Sequence, residues 1–284
     1  MRVLPHLLVV YGLAAAVVAI QPLRAQSRDP AAILASARQA MGGDAKLAAV
    51  KSFTATGRTR QVRGDNLVPI EFELFAELPD KYLRKDEVPA QESGPTATGF
   101  NGEELVVDPP QVAPTAPAGA PAPNPAVLDA ARKARVTTVK QDFARLALGM
   151  FATSFPSYPL TYTYVGEAEA PQGKADVIDA RGPNNFTLRL FINQQTHLPI
   201  MVTWQGAPGG RGRGPVPGGV PPGGGGPPAP VENRLYFADY RETDGLQFPF
   251  RLRRAVGPDT IEETTFDRFK INPKIDPRRF ENRK

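Results

Sequence analysis

The sequence predicts a mainly β protein: a curved antiparallel sheet, or half-open β-barrel, of about 10–11 strands covered by a few α-helices. Three observations predict it. Apolar and polar residues alternate over many short segments, turn-forming dipeptides separate those segments, and helical spacing of apolar residues is confined to two regions.

Residues 1–25 read as a signal peptide for export. Arg2 supplies a positive charge, 7–20 is an apolar stretch, and Ala25 offers a small residue before a cut at Gln26. The cut also removes Arg24, lowering the net charge from +5 to +3, and leaves a single domain over 26–284.

Asp29-Pro30 is an N-cap and first-turn pair. Ile33, Leu34, Ala37, Ala40 and Met41 follow on one helical face until Gly42-Gly43 stops it, and Asp44 is positioned to cap a further turn with Leu47 and Val50. The strands begin near Phe53. Ile70, Phe72, Leu74, Ala76 and Leu78 alternate with Glu71, Glu73, Phe75 and Glu77, which gives one apolar face. Asn101-Gly102 is a tight-turn dipeptide.

Segment 108–126 holds seven prolines, and 206–230 holds eleven glycines and eight prolines, so neither can supply packed core; both are expected to be disordered insertions at loop tips. Between them a second helical region starts at Asn124-Pro125. Thr138 to Gln141 has capping-box spacing, and Val139, Phe143, Leu146 and Met150 form a stripe. Strand alternation resumes at Phe186, Leu188, Leu190 and Ile192, then at Leu198, Ile200, Val202 and Trp204, and again at Leu246, Phe248, Phe250 and Leu252. Weaker runs mark Tyr162 and Tyr164, Leu235 and Phe237, and Phe269 and Ile271. So many strands exceed what a flat open sheet usually holds.

Composition excludes most enzyme chemistry. With no cysteine, and with His197 the one histidine left after cleavage, Cys/His zinc sites, cysteine nucleophiles and redox pairs are ruled out. His197 lies in a polar turn without an orienting partner, as a surface histidine would. Glu71 and Glu73 share a strand face and are an acid/base pair in principle, but their alternation with Phe72 and Leu74 reads as a solvated outer face. The mild basic balance is no footprint for nucleic acid. Gly210-Arg211-Gly212-Arg213-Gly214 offers at most transient contact with anionic lipid headgroups, at about 1 kcal/mol per charge.

The order of elements resembles the LolA/LolB-like outer-membrane lipoprotein-sorting family, the lipoprotein carriers. The likeness rests on Leu78-Pro79-Asp80-Lys81-Tyr82, Phe100-Asn101-Gly102-Glu103, Thr196-His197-Leu198-Pro199, Asp239-Tyr240-Arg241 with Asp244-Gly245 and Pro249, and Asn272 with Phe280. The resemblance implies a half-open barrel whose apolar concave face holds acyl chains under a helical lid. Its cavity would be lined by Phe72, Leu74, Phe186, Leu188, Leu190, Ile200, Val202, Trp204, Phe237, Phe248 and Phe250, with Ile33, Phe143 and Leu146 on the lid. Where the family's carrier has an arginine before the strand-ending proline, this chain has Leu78, a departure that bears on how the lid would open.

The function expected is therefore non-covalent binding or carriage of a lipid or lipoprotein acyl chain by a periplasmic monomer, with no cofactor, no metal and no catalytic residues. The alternative is a non-enzymatic envelope interaction or stress-sensing module with a protein partner. A carboxylate hydrolase using Glu71 or Glu73 is a third reading.

Overall fold

The computed structural model describes residues 28–89, 91–92, 94–110, 124–170, 173–206 and 229–282. The expected signal peptide and the Arg-Gly run at 210–214 lie outside the described residues, as does most of both Pro/Gly-rich insertions.

Twelve strands form one antiparallel sheet: β1 (Ser52–Arg63), β2 (Asn66–Glu77), β3 (Lys81–Glu87), β4 (Thr96–Asn101), β5 (Glu104–Asp108), β6 (Thr161–Ala170), β7 (Gly173–Gly182), β8 (Phe186–Asn193), β9 (Pro199–Gly206), β10 (Val231–Thr243), β11 (Leu246–Val256) and β12 (Asp259–Ile271). Their spatial order is β5-β4-β3-β2-β1-β12-β11-β10-β9-β8-β7-β6, so every neighbouring pair except β1–β12 is consecutive in sequence. The sheet does not close, and β5 and β6 stand at its two ends. The count exceeds the expected 10–11 by one or two. In β7 the buried Val177 and Ile178 are adjacent rather than alternating, and the register of β6 shifts between Tyr164 and Gly166, which blurs the period of two.

Irregular registers curve the sheet. The β1–β12 pairing shifts between Thr56 and Gly57, the β8–β9 pairing between Phe191 and Ile192, and the β11–β12 pairing between Arg254 and Ala255. Each such bulge adds local twist and bends its strand. Gly57 is required at its bulge, because a Cβ there would collide with the Thr265 carbonyl and the Phe72 ring.

The hairpins follow local turn chemistry. Asp244 and Gly245 both take positive φ between β10 and β11, as a type I′ turn demands. At the β4–β5 turn the expected dipeptide is displaced by one residue: Asn101 still pairs with Glu104, and the loop is Gly102-Glu103.

Among the described residues three α-helices accompany the sheet: α1 (Pro30–Ala40), α2 (Asp44–Ala49) and α3 (Pro125–Phe151). Asp29 accepts a hydrogen bond from the Ala31 N–H at 2.9 Å, the expected cap of α1. At α2 the cap is Gly43; Asp44 is already helical and pairs with Arg38 instead. Asn124 caps α3 in the same way as Asp29 caps α1, accepting from Ala126 N at 2.9 Å. The capping-box reading of Thr138 and Gln141 is overturned, since both lie inside the unbroken α3. The Thr138 hydroxyl bonds back to the Ala134 carbonyl at 3.0 Å, the usual resort of a threonine in mid-helix.

Two apolar clusters result. The larger joins the concave face to α1, α2 and the second half of α3. The smaller lies on the convex face, where a 3-10 turn (Pro277–Phe280) buries Phe280 against Phe75, Leu83, Ala97 and Val106. Phe75, out of phase with its strand's concave face, is thereby explained. Asn282 accepts from Val107 N–H and donates to Leu105 C=O, both at 2.9 Å, so it occupies main-chain groups of the end strand β5 that would otherwise invite another strand.

Candidate functional site

The concave face changes character along its strands. On β1 its residues run Phe53, Ala55, Gly57, Thr59, Gln61; on β11 they run Phe248, Phe250, Leu252, Arg254; on β12 they run Phe269, Phe266, Thr264, Glu262. Apolar side chains fill one end, and charged and hydroxyl groups the other.

The apolar end gathers nearly all of the expected cavity residues. Phe72, Leu74, Phe186, Leu188, Leu190, Val202, Phe237, Phe248 and Phe250 join one cluster with Ile33, Phe143 and Leu146 from the helices, and Trp204 packs at its margin. Ile200 is the exception. It is buried, but it sits where the β8–β9 register shifts between Phe191 and Ile192, and it belongs to neither cluster.

Helix α3 is pressed into this face. Phe151 meets Phe53 and Phe248, each at a ring separation of 5.8 Å, and Phe143 lies 4.7 Å from Tyr82 and 5.8 Å from Phe100. Gly149 rides directly on the Phe237 ring, where any Cβ would overlap the ring atoms. The Tyr240 hydroxyl lies 2.8 Å from Gly149 O and 2.9 Å from Pro199 O, its single proton shared between them. Of the expected cavity residues, Phe186, Trp204, Phe237 and Phe248 thus contact the helix itself. Cavities of about 330 to 760 Å³ lie instead at the polar end and on the convex side. By contrast, the first turns of α3 stand in solvent, with Val127 63% and Leu128 45% exposed.

At the polar end Arg84 donates to Asp86 at 2.7 Å and to Thr59 at 3.0 Å, and stacks on Phe72 at 4.6 Å. Burial pulls its pKa down, but Asp86, Glu262 and Tyr82 together outweigh that and leave it raised. Thr59 and Thr264 share a 2.8 Å hydrogen bond, and Gln61 donates to Glu262 at 3.2 Å. Gln61, Arg84, Asp86, Arg254 and Glu262 line a cavity of about 330 Å³.

Beside this network are two arginines of different standing. Arg145, on α3, lies 4.9 Å from the Phe186 ring and 4.3 Å from the Trp204 ring, while Arg254, on β11, lies 5.7 Å from Trp204. Burial and then repulsion from Arg254 push the Arg145 guanidinium down to about 9, with Tyr158 opposing. Burial also lowers Arg254, against the pull of Glu262. Both stay charged at neutral pH.

Sequence reading missed these arginines. The available signal was parity: Arg254 is in phase with Phe248, Phe250 and Leu252, which puts a charge on the apolar face of β11. His197 is exposed, in a turn at φ 57°. Glu71 is exposed and Glu73 half-buried, the latter 3.5 Å from Lys85, away from the concave cluster. No helix among the described residues is long and apolar enough to cross a membrane.

No family model matches the sequence, and no curated protein matches it. Solved structures do. The chain is similar to a LolA superfamily protein from Nitrosomonas europaea, at 13% identity and a TM-score of 0.52 over 89% of this chain and 97% of the other. It is also similar to a domain described as an outer membrane lipoprotein-sorting protein domain from Vibrio parahaemolyticus, at 8% identity and a TM-score of 0.50 over 89% of this chain and 97% of the other. At such identities the likeness establishes the fold: an open antiparallel sheet curved around helices.

Proposed function

We propose that this chain, which has the LolA-like fold, binds the acyl chain of a lipid or lipoprotein non-covalently on its concave apolar face. The reading includes export to the periplasm by the 1–25 signal peptide, and no bond chemistry. One observation carries it: the apolar half of an unclosed sheet is covered by a helix whose opposite end is free in solvent. Withdrawing α3 would bare Phe53, Phe237, Phe248 and their neighbours to water, at roughly 25 cal/mol per Å². A hydrocarbon guest supplies an equivalent cover, so exchanging helix for ligand conserves most of that burial.

The interior is packed in the form described, so uptake requires α3 to move. The test is to extract purified mature protein with organic solvent, identify what is released by mass spectrometry, and titrate the stripped protein with a fluorescent fatty-acyl probe. Saturable uptake is expected. A stripped protein that takes up neither the probe nor a lipopeptide removes the reading.

A second reading, an envelope interaction module with a protein partner, is favoured by the exposed Val127 and Leu128 on the free half of α3. It predicts a stable complex in pull-down, weakened by charged residues at those two positions, with the interior empty by native mass spectrometry.

A further inference from the structure

Trp204 is the chain's single tryptophan, and both Arg145 and Arg254 stand within 6 Å of its ring centre, at 4.3 and 5.7 Å. Like charges brought together below a protein surface repel and lose hydration, a cost normally offset by hydrogen-bonded anions. Here the offset is incomplete. Asp142 accepts from Arg145 Nη1 at 3.1 Å, and Glu262 is already engaged by Gln61. Yet the Nε of Arg145 and the Nε of Arg254 are each buried with no hydrogen-bond partner among the described residues. Two unmet donors on adjacent guanidiniums make a receptor for an oxygen anion, which guanidinium recognises through paired N–H groups.

We propose that Arg145 and Arg254, both beside the Trp204 ring, bind the singly charged head of an amphiphile, a carboxylate or a phosphodiester, whose hydrocarbon lies in the apolar cluster beside them. The inference rests on the acyl-binding reading and specifies its ligand. No more than a single charge is indicated, because Asp142 and Glu262 already oppose the pair. The position fits the amphiphile: Trp204 and Phe186 belong to the margin and body of the apolar cluster, while Arg254 also lines the polar cavity of about 330 Å³, which gives the head a route to solvent. The burial and the repulsion from Arg254 that lower Arg145 are both offset when an anion enters.

The test uses the full mature chain and its own fluorophore. Trp204 emission is followed while stripped protein is titrated with dodecanoate, with lauroyl lysophosphatidylglycerol, and with dodecanol as the uncharged chain of equal length. At least one anionic amphiphile is expected to bind about tenfold or more tightly than dodecanol, the scale of a hydrogen bond to a charged group. Arg254→Met should abolish that preference and keep or raise thermal stability, because an apolar replacement removes a buried guanidinium whose Nε has no hydrogen-bond partner among the described residues. Arg254→Lys, which retains charge without the fork, should retain part of the preference. The better of the two anions identifies the head group.

Equal binding of charged and uncharged chains by the wild type overturns the inference while sparing the acyl-binding reading. Binding of none of them sinks both. If acetate or inorganic phosphate alone matches dodecanoate, the site takes free anions and the link to hydrocarbon is wrong. A lower melting temperature in Arg254→Met with the preference intact makes the arginine structural and also overturns the inference.

Discussion

The hydroxyl of Tyr240 on β10 reaches the main-chain oxygen of Gly149 on α3 at 2.8 Å, and so ties the buried end of the helix to the concave sheet. The same hydroxyl lies 2.9 Å from Pro199 O on β9, which makes it the meeting point of three elements. Tyr240→Phe should cost about 1 to 2 kcal/mol by urea denaturation, since it leaves buried acceptors unmet. Burial holds the Tyr240 pKa well above its ordinary value. A phenol that ionises less readily folded than unfolded stabilises fully below about pH 10 and loses that contribution as pH rises further. The gap between wild type and Tyr240→Phe should therefore narrow only on the alkaline side.

Gly149→Ala tests how closely α3 sits. Its Cβ has no space against Phe237, so the helix must lift or the ring must move. Overpacking of this kind costs about 1 to 3 kcal/mol. Phe237→Leu in the same chain should recover part of the loss, and a double-mutant cycle measures the coupling.

The two halves of α3 should respond oppositely to truncation. Phe143→Ala removes a ring packed against Tyr82, Phe100 and Phe155, and should destabilise by about 3 to 5 kcal/mol. Leu128→Ala, on the exposed half, should change stability by no more than about 0.5 kcal/mol. Chemical denaturation of both variants distinguishes a helix anchored at one end from one packed throughout.

Glu71→Gln and Glu73→Gln should each leave acyl-probe uptake unchanged and stability within about 0.5 kcal/mol. Loss of uptake in either would show that the outer face of β2 takes part in binding.

Much of the architecture was legible because alternation reports directly on which face a strand residue occupies. Phe186, Leu188 and Leu190 fall on one face by alternation and do share it, Asp29 caps the helix it is read to cap, and a helix does start at Asn124-Pro125. Bulges hid the rest: Ile200 lies where the register slips, and a period of two cannot foresee a slip. The helical stripe at Val139, Phe143 and Leu146 revealed an apolar side but not how deeply it is inserted. The site was least visible, because the arginine pair joins β11 to a helix more than a hundred residues earlier, and only folding brings Arg145 to Trp204.

Because β5 and β6 are the unpaired ends of the sheet, the described residues form a folded page and not a pipe. Spreading its margins breaks side-chain contacts but no rung of the backbone ladder, so the internal volume is free to follow its contents. A closed cylinder of the same strands would have one fixed bore; on the acyl-binding reading proposed above, this one would take its gauge from its guest.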